Sequence, residues 1–461
     1  MPPTATERRE IAFAGVARQA ELVRYGEVTP RELVEAALER IARLDPELNA
    51  FRAVFGEQAL LEADRAGERE RDGGDDRPLL GVPIAVKDGM AVAGAARVRG
   101  SNSHGGPEAQ DAELVRLLRG AGAIVIGVTR TPELALWPFT ETAHGGATRN
   151  PWSLKHTPGG SSGGSGAAVA AALVPAATAS DGAGSIRIPA ACCGLVGLKT
   201  QRGRISTAPL HEVWTGLGVY GFLTRSVADS ALLHEVASGE PYVEAVQRDP
   251  GRLRIALSLK IPPGAIARLG ADQRRATLQT AELLRSLGHE VVERDPSYGL
   301  IGVNVITRYL AGAHAEAGSV PDRRRLERRT RGMARMGALT RPLMKRAIAA
   351  QDADAAQING IFDDVDVVLT PTLTGPPLEV GRYEGRGAAR TFNGAAGFAA
   401  FNPLWNHIGN PAAAVPAGFD AVGLPLSVQF AGPPDSEAML LSLASQIEAA
   451  RPWAGARPPI S

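Results

Sequence analysis

The sequence contains little cysteine and little histidine. Two of its 461 residues are cysteines, the adjacent Cys192 and Cys193, and 8 are histidines. Two neighbouring cysteines exclude a disulfide-rich secreted scaffold, and no cysteine–histidine spacing matches a zinc site. The composition therefore predicts a protein of a reducing compartment that requires no metal.

Net charge is almost absent as well. The chain has 50 lysines and arginines and 49 aspartates and glutamates, for a net charge of +1. This balance argues against general binding to nucleic acid or to a membrane surface. Arginines do cluster between Arg323 and Arg335. We interpret this stretch as a solvated helix face; a surface for a partner or an anionic substrate is the alternative.

Long apolar runs are missing too. The longest run of small apolar residues, Ala167 to Ala179, is interrupted by Pro175 and is too short to cross a bilayer. The first residues, MPPTATERREIAFAG, are polar and charged and contain no hydrophobic segment of a secretory signal. We expect a cytoplasmic protein without a membrane anchor.

Helical and strand patterns alternate along the chain. The sequence TPRE, residues 29–32, is a capping box that leads into an amphipathic helix. LLGVPIAVKDG and AGAIVIGVTRT are continuous apolar stretches typical of buried strands, with a helical pattern between them. Further strands are predicted at VDVVLTPT and LPLSVQFAG, ahead of a C-terminal helix. This alternation predicts a layered α/β fold, and the charged residues 67–78 predict a surface loop.

The stretch TPGGSSGGSGAA, residues 157–168, is the most unusual feature. Glycine costs backbone entropy when it is ordered, so such a run needs a cause. A linker is disfavoured because a small-residue helical pattern follows, and a phosphate-binding loop lacks its Gly-Lys-Ser/Thr ending. Residues 159–163 match the G-x-S-x-G nucleophile turn, but the strand that should precede it is replaced by NPWSLKHTP. A backbone geometry that only glycine permits is the interpretation we favour.

Two more motifs accompany this run. SDGAGSIRIP occupies residues 180–189, and VPIAVKD occupies residues 82–88. In this order, the three segments resemble the motifs of the amidase signature family, and the agreement continues through NPW at 150–152, TPT at 370–372, NPA at 410–412 and GLP at 423–425.

The resemblance covers nearly the whole chain and implies one α/β/α domain over residues 1–461. Its large twisted mixed β-sheet is expected to be covered by helices. The resemblance places an N-terminal helical part at 1–66 and the catalytic motifs at 79–210. The rest of the sheet, the helices of the substrate pocket and the C-terminal helix are expected at 211–461.

The family uses a Ser-Ser-Lys triad, which the resemblance transfers to three residues. Ser185 is the expected nucleophile, and Ser161, next to a cis peptide bond, is expected to relay its proton to Lys87. A lysine acts as a base only when neutral, so its pKa must fall from about 10.4 to about 7–8, which costs roughly 4 kcal/mol. Burial shifts the pKa in that direction, whereas pairing with Asp88 would oppose it.

The same resemblance predicts how the developing negative charge is stabilised. Consecutive backbone N–H groups are expected to form the oxyanion hole, namely those of Gly182, Ala183, Gly184 and Ser185. Ala183 stands where the family usually has glycine and would be strained if its φ were positive. An ion pair between Asp181 and Arg187 is expected to brace this turn, with Ser162 as a hydrogen-bonding support.

The adjacent thiols are a different kind of candidate nucleophile. We interpret Cys192 and Cys193 as inert core residues because their surroundings, AACCGLVGL, are apolar.

The resemblance implies an amide hydrolase that works through an acyl-enzyme, needs no cofactor and acts on linear amides. The form SDGAGSIRIPAACCG is most similar to bacterial small-molecule amidases, including those that act on nylon oligomers, aryl amides and carbamates. The triad alone does not separate an amidase from a urethanase. Few charged residues lie near the motifs, which favours a neutral substrate. The aromatic candidates for the acyl pocket are Trp137, Phe139, Tyr309 and Trp405.

Two alternatives stay open at this point. The first is the glutaminase subunit of a tRNA-dependent amidotransferase, although its usual arginine-containing recognition segment is not found in the chain. The second is a scaffold that binds without catalysis, against which the presence of all three triad residues argues. The sequence leaves the oligomeric state open, a homodimer being one option.

Overall fold

A computed structural model describes residues 5–71 and 76–461 as a mixed α/β fold. The described α-helices are α1 (Ala5–Phe13), α2 (Gly15–Arg24), α3 (Pro30–Leu48), α4 (Gly56–Arg71), α5 (Glu113–Gly120), α6 (Gly163–Ala170), α7 (Arg187–Cys193), α8 (Val227–Ser238), α9 (Tyr242–Ala245), α10 (Ala271–Ser286), α11 (Ile301–Gly318), α12 (Arg328–Thr340), α13 (Met344–Ala349), α14 (Gln351–Asn359), α15 (Ala388–Phe398), α16 (Pro403–Ile408) and α17 (Glu437–Ala450). Short 3-10 helices lie at Glu133–Ala135, Arg323–Arg325, Arg341–Leu343 and Gly360–Asp363.

The described strands are β1 (Phe51–Val54), β2 (Pro83–Lys87), β3 (Ile124–Thr129), β4 (Glu141–Thr142), β5 (Gly146–Ala147), β6 (Ala176–Asp181), β7 (Gly197–Lys199), β8 (Val219–Thr224), β9 (Arg254–Leu257), β10 (Glu290–Glu293), β11 (Val367–Pro371), β12 (Ala412–Phe419) and β13 (Pro425–Ala431). They form a five-stranded sheet in the order β1-β3-β2-β6-β8, a six-stranded sheet in the order β10-β9-β11-β13-β12-β7, and the small hairpin β4-β5. Both larger sheets mix parallel and antiparallel neighbours.

The two large sheets meet edge to edge. Val196, just before β7, and Thr224, the last residue of β8, exchange two backbone hydrogen bonds of 2.9 and 3.2 Å. The predicted large mixed sheet is thus assembled from two hydrogen-bonded parts that join at this bridge. Helices pack on the sheets, and the predicted α/β class is confirmed.

The parallel strands β2 and β6 determine where the motifs meet. They are direct neighbours, with Ile84 opposite Ala176. Because parallel strands end at the same edge of a sheet, Lys87 at the end of β2 is carried to the same edge as Ser180 and Asp181 at the end of β6. The chain turns that follow these two ends build the site described below.

Small residues explain how two helices fit into the interior between the motifs. Every residue of α6 and of α7 is buried, and α6 contains only glycine, alanine, serine and valine. A helix of this composition is thin, so it can pack closely against α7 and against β6. The small-residue helix predicted after the glycine run is present, and it begins earlier, within the glycines at Gly163.

Other sequence predictions are confirmed or corrected by the described elements. The Thr29 capping box is complete, because Thr29 and Glu32 each accept the other's backbone N–H. The strand β1, however, lies within the predicted helical part and pairs with β3. The loop predicted at 67–78 begins later, since α4 continues to Arg71; residues 72–75 lie outside the described residues. In the described part of the chain, none of the helices is both long and apolar enough to cross a bilayer.

Candidate active site

Lys87 lies at the centre of the site. Its side chain is buried, and its Nζ lies 2.7 Å from Ser161 Oγ and 2.9 Å from Ser180 Oγ. Burial lowers the pKa of Lys87 to about 7, although the carboxylates of Asp181 and Asp88 act in the opposite direction. A large fraction of this lysine is therefore neutral near pH 7, as a general base must be.

Asp88 does not pair with Lys87. Its Oδ1 accepts a hydrogen bond of 2.9 Å from the backbone of Val98, and its Oδ2 lies 3.2 Å from Arg52 Nε. The Asp88 carboxylate is thus held by other partners, and Lys87 keeps its two hydroxyl contacts. The direct pairing of Asp88 with Lys87 that the sequence left possible is therefore not present.

The glycine run allows the backbone to pass close to its neighbours. The peptide between Gly160 and Ser161 is cis. A Cβ on Gly160 would stand closer than 3.0 Å to the Trp137 carbonyl oxygen and to the Phe139 nitrogen. These neighbours are backbone atoms, which a side chain cannot displace cheaply. Close approach of two backbones accounts for the glycine at this position.

Ser161 is held from its carbonyl side. Thr131 Oγ1 donates a hydrogen bond of 2.7 Å to the Ser161 carbonyl oxygen. Two residues earlier, Thr140 Oγ1 donates a hydrogen bond of 2.9 Å to the Gly159 carbonyl oxygen. With its backbone fixed in this way, Ser161 presents its hydroxyl to Lys87.

The turn after β6 is organised by the carboxylate of Asp181. Arg187 Nη2 lies 3.0 Å from Asp181 Oδ1, and both side chains are fully buried. The cation of Arg187 holds the pKa of Asp181 well below its usual range, against the effect of burial. Asp181 also accepts the backbone N–H groups of Gly184 (2.6 Å) and Ile186 (3.1 Å). The ion pair expected from the sequence is present and braces this turn.

These contacts correct the predicted set of oxyanion donors. The N–H of Gly184 is used by Asp181 and is not available to a substrate. Within the described residues, the N–H groups of Gly182, Ala183 and Ser185 make no hydrogen bond. The positive φ, 116°, belongs to Gly184, and Ala183 is not in the left-handed region. Ala183 is therefore free of the strain that a positive φ would impose on an alanine at a position where the family usually has glycine.

Ser185 follows this turn and is half-buried. Its hydroxyl has no hydrogen-bond partner among the described residues, so the structure shows no direct bond between the Ser161 and Ser185 hydroxyls. Both serines nevertheless line the same cavity. The structure thus brings all three predicted triad residues together, with Ser185 free on the cavity wall.

Ser162 and Ser180 connect the two serine loops. The Ser162 hydroxyl donates to the Ser180 carbonyl oxygen and accepts the Ser180 N–H, at 3.3 Å each. The supporting contact predicted for Ser162 is therefore observed. The contact of Ser180 Oγ with Lys87 was not predicted. It follows from the pairing of β2 with β6, for which the sequence offers no local signal.

The cavity has a volume of about 820 Å³, including its open mouth. The lining residues with polar side-chain atoms are Ser161, Ser180, Ser185, Tyr309, Trp137 and Trp214, and no charged side chain of the described residues lines it. The aromatic side chains in its wall are Trp137, Trp214, Tyr309 and Phe392. A site of this composition suits an uncharged, largely apolar ligand.

Two of the four aromatic candidates lie elsewhere. Phe139 is buried behind Trp137, with a ring-centroid distance of 5.9 Å, and Arg329 lies over both rings. This half-buried arginine departs from the solvated helix face predicted for its stretch, whereas Arg324 is exposed. Trp405 packs in a separate apolar cluster. Trp214 and Phe392 were missed because each reaches the cavity from a segment without any motif.

Neither the two thiols nor a metal cluster within the described residues adds a reactive group to the cavity. Burial raises the pKa of both thiols, Cys192 and Cys193, which disfavours the thiolate that a cysteine nucleophile needs. Neither lines the cavity. Among residues 5–71 and 76–461, no group of histidine, cysteine and carboxylate side chains has the arrangement of a metal site.

Comparison with known proteins identifies the family. The family model described as Amidase matches residues 32–441. The chain belongs to the amidase signature family. Members of this family are hydrolases of amide bonds, and the fold described above is the one that its solved structures share.

Individual members of the amidase signature family are similar over nearly their whole length. A Mycobacterium tuberculosis protein named "Putative amidase AmiB2" is 48% identical over 459 residues, which is 98% of this chain and 99% of that protein. The 6-aminohexanoate-cyclic-dimer hydrolase of Paenarthrobacter ureafaciens is 34% identical, with 95% of each chain covered. A solved structure of 6-aminohexanoate cyclic dimer hydrolase complexed with substrate superimposes with a TM-score of 0.88, 32% identity and coverage of 97% and 99%. The chain is accordingly an amidase that acts on small molecules.

Proposed function

We propose that this amidase hydrolyses uncharged linear amides or carbamates through an acyl-enzyme on Ser185. One observation carries the proposal: a buried lysine with a pKa of about 7 contacts Ser161 at 2.7 Å, and Ser161 shares an apolar cavity with an unpartnered Ser185. An amide carbonyl is a poor electrophile, so the attacking hydroxyl must lose its proton as the bond forms. Lys87 is the base that this step requires.

The proposed reaction proceeds in two halves. Ser185 Oγ attacks the carbonyl carbon, its proton passes to Ser161, and the Ser161 proton passes to the neutral Lys87. The N–H groups of Gly182, Ala183 and Ser185 stabilise the oxyanion, since they are free of internal partners.

When the carbon–nitrogen bond breaks, the lysine's proton returns through Ser161 to the departing nitrogen, which leaves as a neutral amine. Water then attacks the acyl-enzyme, and Ser161 and Lys87 again move the proton. This step releases the acid and regenerates Ser185.

The cavity supports the choice of substrate class. It holds no charged side chain of the described residues, so a charged substrate would lose its hydration without gaining a partner. The relative from Paenarthrobacter ureafaciens is named for a cyclic dimer of an aminohexanoate. For the present chain we propose the linear class, because the cavity is open at one side and would admit an extended chain.

The experiment measures release of aniline from a panel of aryl amides and aryl carbamates. Wild-type protein is compared with Ser185→Ala and Lys87→Ala, and a serine-directed phosphonate serves as a covalent probe. We expect turnover by the wild type, its loss in both variants, and labelling of Ser185. Full activity of Ser185→Ala would show that the nucleophile is wrongly assigned. A wild type that cleaves no member of the panel and is not labelled would support a scaffold without catalysis.

A glutaminase function receives no support from the cavity. Free glutamine carries an ammonium and a carboxylate, and recognition of both needs charged or strongly polar partners. The described lining offers hydroxyls, backbone, two indole rings and apolar side chains, and it contains no charged side chain. Glutamine in the same panel serves as the negative control.

A further inference from the structure

Trp214 forms one wall of the cavity beside the turn after β6. It lines the cavity together with Gly182 and Ser185 of that turn. The ring lies directly against Gly182, since a Cβ on this glycine would stand 3.5 Å from Trp214 Cγ and 3.8 Å from Trp214 Cδ2. The Gly182 N–H makes no hydrogen bond within the described residues. The indole ring therefore stands next to a backbone donor that remains free for a ligand.

Helix α11 holds this ring in place. The rings of Trp214 and Tyr309 pack with their centroids 5.0 Å apart. One turn further along α11, Gly312 leaves so little room that a Cβ there would stand 3.0 Å from Trp214 Cε3. Only 8% of Trp214 is exposed. The ring is thus packed against the helix, and it cannot turn away from a ligand without losing these contacts.

The backbone that carries the ring is constrained as well. Trp214 and Thr215 both have a positive φ, 55° and 52°, a left-handed conformation that persists in residues with a side chain only where the surroundings enforce it. Arg308 of α11 supplies one such constraint, because its Nη2 donates a hydrogen bond of 2.8 Å to the Thr215 carbonyl oxygen. Arg308 is itself buried and donates a second hydrogen bond of 2.8 Å to Gln351. A constrained backbone and a packed ring make a wall that yields little to a ligand.

We propose that Trp214 determines specificity by limiting the branching of the substrate group next to the scissile carbonyl. This inference rests on the proposed function, in which the Gly182 N–H binds the carbonyl oxygen. The carbon bonded to that oxygen is then held close to the ring, so a substituent on this carbon contacts the indole. An unbranched substituent fits beside the ring. A branched one overlaps with a ring that cannot retreat, and such overpacking weakens binding.

The test measures binding and does not depend on turnover. Two series of ligands are titrated by calorimetry into Ser185→Ala and into Ser185→Ala/Trp214→Ala. The anilides of acetic, isobutyric and pivalic acid branch on the acyl side, and phenylacetamides whose nitrogen carries methyl, isopropyl or tert-butyl branch on the amine side. We expect affinity to fall with branching in Ser185→Ala.

The double variant should accept the branched ligands better. In the series whose group faces the ring, the ratio of the affinities for the methyl and the tert-butyl ligand should fall by about ten-fold, the size of effect expected when overpacking is relieved. The series that responds shows which side of the carbonyl the ring contacts.

Trp453 provides a matched control, because it is a partly buried tryptophan that does not line the cavity. Ser185→Ala/Trp453→Ala should keep the affinity ratios of Ser185→Ala. Ser185→Ala/Trp214→Phe disturbs the packing less than the alanine variant, and its ratios should be intermediate. Unchanged ratios in both series, an equal loss of affinity for every ligand, or no binding of any ligand would overturn the assignment of Trp214. Binding that depends on branching, together with a wild type that hydrolyses none of the ligands, would contradict only the proposed function.

Discussion

Lys87 Nζ and Ser161 Oγ lie 2.7 Å apart, although their residues belong to segments 74 positions apart in the chain. Burial lowers the pKa of this lysine to about 7. Both facts follow from one arrangement, in which an apolar strand carries its last side chain into the interior and directs it at the glycine-rich loop. In the proposed mechanism this contact joins the base to the hydroxyl that it deprotonates, and several of the predictions below depend on it.

Activity should increase as the pH rises through about 7. In the proposed mechanism the neutral form of Lys87 is the base, and this form dominates above the lysine's pKa. Well below that pKa, kcat/KM should fall about ten-fold for each pH unit, because one proton must be lost. The measurement is the pH profile of kcat/KM for an uncharged anilide. A profile that is flat between pH 5.5 and 8.5 would show that Lys87 does not act as the base.

The Asp88→Asn variant should move this profile to lower pH. The Asp88 carboxylate raises the pKa of Lys87, so its removal stabilises the neutral amine at lower pH. Asp363→Asn is the control, since it removes the same charge at an exposed position and should leave the profile in place. A pH profile of Asp88→Asn that is unchanged, or that moves to higher pH, would contradict the electrostatic argument.

The Ser180→Ala variant should reduce kcat by about 5- to 20-fold, the effect of losing one hydrogen bond that orients the base. The Ser180 hydroxyl lies 2.9 Å from Lys87 Nζ. The contact between Lys87 and Ser161 is a separate one and should remain in the variant. KM should stay within about two-fold because the cavity keeps its shape. Ser445→Ala, at a half-buried serine bound to the Val246 carbonyl, should have wild-type kinetics. A kcat for Ser180→Ala equal to that of the wild type would mean that this contact is dispensable.

Removing the Arg187 cation should destabilise the fold. Arg187 and Asp181 form a fully buried ion pair, and Arg187→Met leaves the carboxylate unpaired in the interior. A broken buried pair costs about 3–5 kcal/mol, measured as the change in the free energy of unfolding in urea. Arg116→Met, which removes a cation from an exposed pair with Glu113, should change the unfolding midpoint far less. If the two substitutions lowered the free energy of unfolding by similar amounts, burial would not be what makes the Asp181–Arg187 pair important for stability.

Gly160→Ala should abolish most activity. The added Cβ would stand closer than 3.0 Å to backbone atoms of Trp137 and Phe139, so the loop that carries Ser161 must shift. A misplacement of about 1 Å at a reacting group can cost about 100-fold in rate. Gly105→Ala is the control, because nothing lies within 4 Å of a Cβ at that position. Anilide turnover by Gly160→Ala near the wild-type rate would show that the loop tolerates the displacement.

Local sequence patterns were a good guide to the elements that carry the motifs. The apolar stretch before Lys87 and the stretch AIVIGVT are the buried strands β2 and β3, since continuous apolar residues suit strands covered on both faces. The strand β1 was missed because its residues FRAV carry no such pattern and pair only at the sheet edge. The joining of the two sheets at Val196 and Thr224 likewise depends on a pairing between distant segments.

The sequence by itself identified the candidates for the chemistry. Lys87, Ser161, Ser185 and the Asp181–Arg187 pair stand in motifs whose residue types and order identify them, and the described structure brings them together.

Only the tertiary structure decided which groups these residues meet. The use of the Gly184 N–H by Asp181, the contact of Ser180 with Lys87, and the walls supplied by Trp214 and Phe392 all depend on three-dimensional packing. A motif constrains the residues within it, whereas a hydrogen-bond partner or a cavity wall is selected by how strands pair and helices pack. Those pairings minimise the free energy of the whole chain, so no single segment specifies them.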